Sequence, residues 1–442
     1  MPTSDDGKIT VTDIIDDLEW RGLLAQTTGL EELRKALADG PVTLYCGFDP
    51  TAGSLHVGHL MQALTLARFQ LAGHRPVALV GGGTGLIGDP KPNAERSLND
   101  PETIKGWVET IGRQLSAFLR FTPAGEAPQP TDAVLANNAE WLGAMSAIEL
   151  LRDVGKHFSI NQMLARETVK TRLDGAGMSY TEFSYVLLQA YDYVELYRRY
   201  GCTLQVGGSD QWGNITAGLE LIRRMDGNEP HGPAHCLTTE LLTKSDGTKF
   251  GKTESGTVWL DPALTSPYAF YQYWFNASDS DVIRYLKVFS FRSREEIEEL
   301  ERRTAERPAA RAAQRALAEE MTVLLHGEEE CQKVIAASRA LFGQGELAEL
   351  DSATLEAALT EAPHTEVAAP AHELPPVVDL LAQAGLVPSK SAGRRAIQEG
   401  GAYLNNTKVT DVEARPGEAD LLHGRFLVLR RGKRNVGGVI VT

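Results

Sequence analysis

The sequence predicts an α/β protein with an open, mostly parallel sheet, followed by a small helical unit and a C-terminal α+β unit. Three observations carry this. Residues 41–260 alternate short apolar runs with helical patterns, the order that builds parallel sheets. From Tyr268 to Gly343 the chain is helical and charge-laced, as in SREEIEELERRTAERPAARAAQRALAEEM. From Pro376 onward two short helical patterns precede short strands around the turn pair Asn405-Asn406. At 442 residues the chain is too long for one core. The expected units are 1–260, 261–361, a linker over 362–375, and 376–442. The linker, within APHTEVAAPAHELPP, is rich in Ala and Pro and has no periodicity.

Taken in order, VTLYCGF, PVALVGG, DAVLAN and TLQVGG read as strands. HLMQALTLARFQLAG, TEFSYVLLQAYDYVELYRRY and QWGNITAGLELIRRM read as helices between and after them. In the first strand, period two puts Tyr45, Gly47 and Asp49 on one face. Val42, Leu44, Cys46 and Phe48 take the other. The helix that follows carries Leu60, Ala63, Leu64, Ala67 and Leu71 as a stripe that packs on the sheet. VVDLLAQAG and SAGRRAIQEGG are the two short C-terminal helices.

Composition narrows the function. Hydrophobic content of 42% with 23% charged residues suits a globular chain. No apolar run approaches the roughly 20 residues a bilayer requires. The start, MPTSDDGKIT, is polar and does not resemble a secretory signal. Four cysteines stand far apart without a CxxC pair, which suits a reduced, cytoplasmic chain. The net charge of −15 argues against nucleic acid as a partner of the whole surface. From Pro376 to the end, however, ten Lys and Arg face six Asp and Glu, a balance of +4 that leaves −19 for the rest. A basic tail on an acidic body is a candidate polyanion contact.

GTGLIG (83–88) matches a dinucleotide fingerprint in letters only. That site needs a helix running on from the last glycine. Asp89, Pro90, Lys91 and Pro92 follow instead, and two prolines break a helix. His56 and His59 lie at the first turn of the predicted helix, where free N–H groups attract phosphate. Gly58 between them lets something flat approach the backbone. A zinc site would want further ligands nearby, and none is evident, so phosphate is the better reading.

Three more stretches carry chemistry. In YVLLQAYDYVEL, Tyr185, Gln189 and Asp192 share one helix face, apart from the apolar face of Val186, Leu187, Ala190, Val194 and Tyr197. Such a helix lines a polar pocket or presents a broad solvated face. In LQVGGSDQWGN, Ser209 and Asp210 cap the next helix, and Asp210 stands where a ribose would sit. In LLTKSDGTKFGKTESG, Lys249, Lys252 and Thr253 lie among glycines, as in a loop that closes on pyrophosphate or a plain solvated loop.

Together these stretches resemble the bacterial tyrosyl-tRNA synthetases, a class I family. HVGH is similar to the family's HIGH element and KFGKT (249–253) to its KMSKS element. Phe250, Gly251 and Thr253 replace Met, Ser and Ser, while both lysines remain. YCGFDPTAGSLHVGH, DVGKHFSINQML, TEFSYVLLQAYDY and GGSDQWGNIT resemble segments characteristic of the tyrosine enzyme. The tail resembles the RNA-binding fold of small-ribosomal-subunit protein four. The resemblance implies a Rossmann-like nucleotide-binding domain, an anticodon-side helical domain and a homodimer. Tyr45 and Asp192 would contact the substrate phenol, Asp89, Tyr185 and Gln189 the α-amino group, and Gln205 the pocket. Gly47, Asp49, Thr51, Gly58, Gly208, Asp210 and Gln211 would surround ATP or the adenylate. His56, His59, Lys249, Lys252 and Thr253 would be catalytic. Lys390, Arg394, Arg395, Arg431 and Lys433 would meet tRNA, and Mg²⁺ would arrive with ATP.

Two rival readings are an adenylyltransferase of another class, since HxGH occurs there too, and a non-catalytic RNA-binding protein. The first kind is much shorter and lacks the lysine loop and the tail. The second would not need both signature elements.

Overall fold

The structure, a computed structural model, describes residues 13–90, 98–175, 177–245, 247–248, 250–253 and 256–442. Contacts divide the chain into two units. One runs to Asp261 and includes Ser278–Ala313; the other comprises Pro262–Ala277 and Gln314–Thr442.

The first unit is built on a six-stranded sheet with the order β1-β6-β5-β2-β3-β4. Its strands are β1 (Leu24–Thr27), β2 (Thr43–Phe48), β3 (Arg75–Val80), β4 (Val134–Asn137), β5 (Cys202–Gly208) and β6 (His235–Thr239). β2 to β6 run parallel, and only β1 is antiparallel, against β6. The four expected strands are all present. β6 escapes a sequence reading because its buried face includes His235, Thr238 and Thr239 rather than an apolar run.

The helix Val57–Leu71, here the histidine helix, joins β2 to β3. Leu60, Ala63, Leu64 and Ala67 are buried as expected, but so are Met61, Leu66 and Phe69. The helix is covered on a second side because the helix Val282–Phe289 packs against it. Arg68, itself buried, donates to the carbonyls of Val288 and Ser290 at 3.1 and 2.7 Å. Arg21 donates to Lys287, Ser290 and Arg292 carbonyls from another direction. Two guanidiniums thus satisfy the orphan acceptors at that helix end. This is why 278–313 packs with the first unit, although the sequence suggested a boundary at 260/261.

The long helix, Tyr180–Tyr200, starts at Ser179, whose side chain caps Glu182 N, and stops at Gly201 with φ +62°. Val186, Leu187, Ala190, Val194 and Leu196 are buried on the sheet, and the helix Trp212–Asp226 packs beside it. A short hairpin, β7 (Lys252–Thr253) and β8 (Gly256–Thr257), closes the lysine loop.

The second unit carries a five-stranded sheet ordered β11-β10-β12-β13-β9. β9 is His364–Val367, β10 Ala402–Leu404, β11 Thr407–Lys408, β12 Phe426–Arg431 and β13 Asn435–Val441. β9 lies inside the stretch expected to be a linker, and pairs in parallel with β13 at the sheet edge. Its side chains are exposed or half-buried, so no apolar period betrays it. Helices Val377–Gln383 and Lys390–Gln398 cover the sheet with a core that includes Leu380, Leu381, Ile397 and Leu427. Asn405 and Asn406 both have positive φ, the turn geometry that asparagine tolerates.

Candidate active site

The strand order creates the site. The chain winds from β2 through β3 to β4 on one side, and β5 and β6 lie on the other. The connections therefore diverge between β2 and β5, which leaves a crevice beyond their carboxyl ends. Tyr45 of β2 stands in register with Gln205 of β5. Gly47 and Asp49 follow from β2, Gly208, Asp210 and Gln211 from β5.

Deepest in the crevice is a buried carboxylate. Asp192 on the long helix is 2% exposed. Its Oδ1 accepts from Trp141 Nε1 at 2.7 Å and its Oδ2 from Asn138 Nδ2 at 2.9 Å. Burial pushes its pKa up to about 8 against the pull of those two bonds. Asn138 also donates to Thr84 Oγ1, and Thr84 donates to Asp49 Oδ1 at 2.7 Å. The Tyr185 hydroxyl donates to the other oxygen of Asp49, also at 2.7 Å. A continuous chain of polar groups therefore runs from Trp141 to Tyr185. Around it, Tyr45 Oη, Gln205 Oε1 and Gln189 Oε1 are buried without a protein partner. Burial, with the Asp192 charge second, raises the Tyr45 phenol well above its usual range. Polar atoms of this kind are costly unless a bound molecule meets them.

A second polar group lies nearer the mouth. Gln211 Nε2 donates to Asp89 Oδ2 at 3.0 Å, and Asn214 Nδ2 approaches Asp89 Oδ1 at 3.4 Å. Gln189 Nε2 reaches Gln211 Oε1 at 3.4 Å. A cavity of about 390 Å³ is lined here by Asp89, Tyr185, Asp210 and Gln211 among others. Its size suits a small metabolite. Tyr45, Asp192 and Gln205 do not line it; they lie deeper in the protein. Asp210 does not cap the following helix, as the sequence suggested. The N-cap position is Gln211, with no side-chain cap bond, and Asp210 is exposed.

The histidines are held by the backbone. His56 is the N-cap of its helix and accepts Gly58 N–H at Nδ1, 3.0 Å. His59 Nδ1 accepts His56 N–H at 3.2 Å. The rings stack with centroids 3.8 Å apart. With each Nδ1 an acceptor, the proton of a neutral ring resides on Nε2. Burial, aided by His56, pushes the His59 pKa down to about 3, so that ring is neutral. Gly58 does have something flat against it, but this is the His56 ring itself: a Cβ there would stand 2.7 Å from Cε1.

The lysine loop approaches the same helix end. Gly251, at φ +82°, lies beside Val57, and its carbonyl accepts Val258 N–H. Val258 in turn accepts Val57 N–H, and Trp259 bridges to His56. The positive φ explains glycine where the related element has serine. Lys252 is exposed; Lys249 lies outside the described residues, as does part of the loop beyond Thr253. Thr51 is exposed just after Asp49.

In the other unit, Arg394, Arg395, Arg431 and Lys433 are exposed, and Lys390 pairs with Asp379 at 2.8 Å. Arg430, next to Arg431, is buried: it stacks on Tyr403 and donates to the Phe342 carbonyl. Sequence reasoning missed Asn138, Trp141, Thr84 and Asn214. An available signal was Asn137-Asn138 at the carboxyl end of a parallel strand.

Among the described residues no group of three or more His, Cys, Asp or Glu could hold a metal ion, and no helix is long and apolar enough to cross a membrane. Residues 37–343 match the family described as tRNA synthetases class I (W and Y). Residues 354–437 match the tyrosine–tRNA ligase SYY-like C-terminal domain. The tyrosine–tRNA ligase of Thermobifida fusca is 79% identical over 98% of this chain and its own full length. That of Streptomyces coelicolor is 63% identical over the same shares. Among solved structures, a C-terminally truncated mitochondrial tyrosyl-tRNA synthetase of Aspergillus nidulans is 32% identical with a TM-score of 0.66, covering 76% of this chain and 96% of its own.

Proposed function

We propose residue roles for this chain on the premise that it belongs to the class I tyrosine–tRNA ligases. It joins tyrosine to tRNA with ATP, through tyrosyl-adenylate and pyrophosphate. The two rival readings from sequence end here.

The observation that carries the assignment of the tyrosine pocket is the trio of unpartnered polar atoms around Asp192: Tyr45 Oη, Gln205 Oε1 and Gln189 Oε1. A substrate phenol donating to Asp192 and accepting from Tyr45 would complete this group. A site that bonds a hydroxyl rejects the analogue lacking it, tyrosine activation being the standard example. Asp89, Tyr185 and Gln189 then take the α-ammonium, with Gln211 and Asn214 orienting Asp89. ATP lies along Gly47, Asp49, Thr51, Gly208 and Asp210, with its phosphates toward the histidines, while the His56 ring already occupies the space over Gly58. Gly47 has open space above it.

The nucleophile is the tyrosine carboxylate, ionised at neutral pH, so the first step needs no general base. It needs alignment and stabilisation of charge on the α-phosphate and the leaving pyrophosphate. His59 supplies a neutral N–H donor and His56 a second ring N–H; Lys249 and Lys252 supply mobile cations, and Thr253 joins them. Both Asp49 oxygens are occupied by Thr84 and Tyr185, so we assign Mg²⁺ to the ATP phosphates, as part of that substrate.

Lys390, Arg394, Arg395, Arg431 and Lys433 would grip tRNA phosphates, and the helices of the second unit would face the anticodon side. A homodimer is proposed from the family, with the exposed apolar side chains Leu135, Ile148, Leu151, Ile160 and Tyr180 as candidates for its contact. Sedimentation of the whole chain tests it. A cytoplasmic location follows from the reaction. ATP–pyrophosphate exchange with each of the 20 amino acids, for the wild type, Tyr45→Phe and Asp192→Ala, tests the pocket. Exchange with tyrosine alone in the wild type, relaxed in the variants, is the expected result.

A further inference from the structure

The lysine loop is tied to the first unit at a point that the assigned chemistry does not use. Asp281, 7% exposed, stands immediately before the helix Val282–Phe289. Its carboxylate accepts Ser245 N–H at 3.0 and 3.3 Å and Ser245 Oγ–H at 3.0 Å. Ser278 Oγ also donates to it, at 2.8 Å, and returns an acceptor to Asp281 N–H. Ser280 shares the hydroxyl cluster, 3.0 Å from Ser245 Oγ. Ser245 is the exposed base of the loop, four positions before Lys249 and seven before Lys252. The next residue of that helix with a polar reach, Arg284, extends to Thr243 O at 3.4 Å.

The same helix holds the loop a second time. Phe250, 7% exposed, packs against Tyr285 and Phe289, each with ring centroids 5.2 Å away. The far end of the helix is fixed by Arg21 and by Arg68 of the histidine helix. One rigid pair of helices therefore carries His56 and His59 at one point and grips the lysine loop at two others. Of the two grips, the aromatic one is non-directional. The carboxylate one is directional, charge-assisted and made to a backbone N–H, so it fixes the path of the chain.

We infer that Asp281 is a positioning residue for adenylate formation: it clasps Ser245 and thereby sets where Lys252 stands relative to the histidine pair. This rests on the reading of Lys252 as a phosphate-stabilising group. Losing the clasp leaves the lysine present but its average position wrong, and misplacement of about 1 Å is enough to cost a large rate factor. Tyrosine binding, which depends on Tyr45 and Asp192, is untouched by it.

The test is single-turnover formation of tyrosyl-adenylate, with equilibrium dialysis of tyrosine, on Asp281→Ala, Asp281→Asn, Ser245→Ala and Lys252→Ala in the full chain. Asp281→Ala should slow adenylate formation about tenfold or more, with the tyrosine Kd changed less than about twofold. Asp281→Asn keeps one acceptor for Ser245 N–H and should fall between. Ser245→Ala keeps the backbone bond and should slow the step about threefold. An Asp281→Ala enzyme that forms adenylate at the wild-type rate overturns the proposal, as does one that loses tyrosine affinity in step with rate. If Asp281→Ala does not fold, wild-type rates in both Ser245→Ala and Asp281→Asn overturn it. A wild-type rate in Lys252→Ala overturns the lysine reading and the clasp together, whereas a slow Lys252→Ala beside a normal Asp281→Ala removes the clasp alone.

Discussion

Trp141 and Asp192 meet through a single hydrogen bond, indole Nε1 to carboxylate Oδ1, at 2.7 Å. The indole follows β4 and the carboxylate sits midway along the long helix, 51 positions later in the chain. Asn138, also after β4, holds the second oxygen. Asp192 is thus oriented from outside its own helix.

Asn138→Ala should leave Asp192 with one donor in a buried place. Leaving a buried acceptor without its donor costs about 1–3 kcal/mol, roughly a 5- to 150-fold change. The expected result is a rise of that order in KM for tyrosine with KM for ATP nearly unchanged. Steady-state kinetics with each substrate varied checks it. A parallel rise in both would point to general damage.

Asp192 gives a pH dependence. Its unfolded pKa is near 3.8 and burial raises the folded value to about 8. The folded state therefore holds more protons between those values, and the stability tied to the neutral carboxyl is present below about 3.8 and lost as pH rises through about 8. Relative to Asp192→Asn, the wild type should lose stability as pH rises across that window. The slope cannot exceed about 1.4 kcal/mol per pH unit for one proton. Urea denaturation of both proteins at several pH values decides it; parallel curves would remove Asp192 as the cause.

Tyr45→Phe and Asp192→Ala should narrow the preference for tyrosine over phenylalanine more than they weaken ATP. The comparison is kcat/KM for the two amino acids in each variant. Undiminished rejection of phenylalanine by both proteins would remove these residues from the phenol site.

His56→Ala and Lys252→Ala should lower kcat and kcat/KM for activation together, with the tyrosine Kd preserved, because their contacts strengthen only as phosphate charge develops. Loss of tyrosine binding in either variant contradicts this division of roles.

Deleting residues 363–442 removes β9 to β13 together and should leave tyrosine activation intact while weakening tRNA charging. tRNA affinity of the full chain should fall steeply with salt and that of the shortened chain less so. Equal charging at limiting tRNA would show that this basic surface is not a tRNA contact.

Much of this site was legible because its residues break patterns. Tyr45 and Gly47 break the apolar face of a strand and Asp49 follows it at once, and Tyr185, Gln189 and Asp192 form a third face on a helix that needs only two. Asn138 and Trp141 break nothing. In DAVLANNAEWL the asparagines read as a turn and the tryptophan as core, and their partner Asp192 is distant in sequence. β6 and β9 were hidden for a related reason, since Thr and His make strands without an apolar signature. Gly58 was read as room for a ligand, yet its neighbour's imidazole fills that room, a relationship that depends on how His56 caps the helix.

That cap has a consequence for the end of the reaction. Both Nδ1 atoms are engaged by backbone N–H groups, and the neutral His59 ring is thereby fixed as one tautomer that offers a dipole rather than a full charge. A permanent cation at this place would hold pyrophosphate as firmly after the bond breaks as during it. A dipole gains most where negative charge is concentrated in passing, and retains little hold on a hydrated anion. On the proposed roles, the full positive charge comes from the loop instead. On the roles proposed above, release of pyrophosphate would then depend on the loop cation Lys252 rather than on His59.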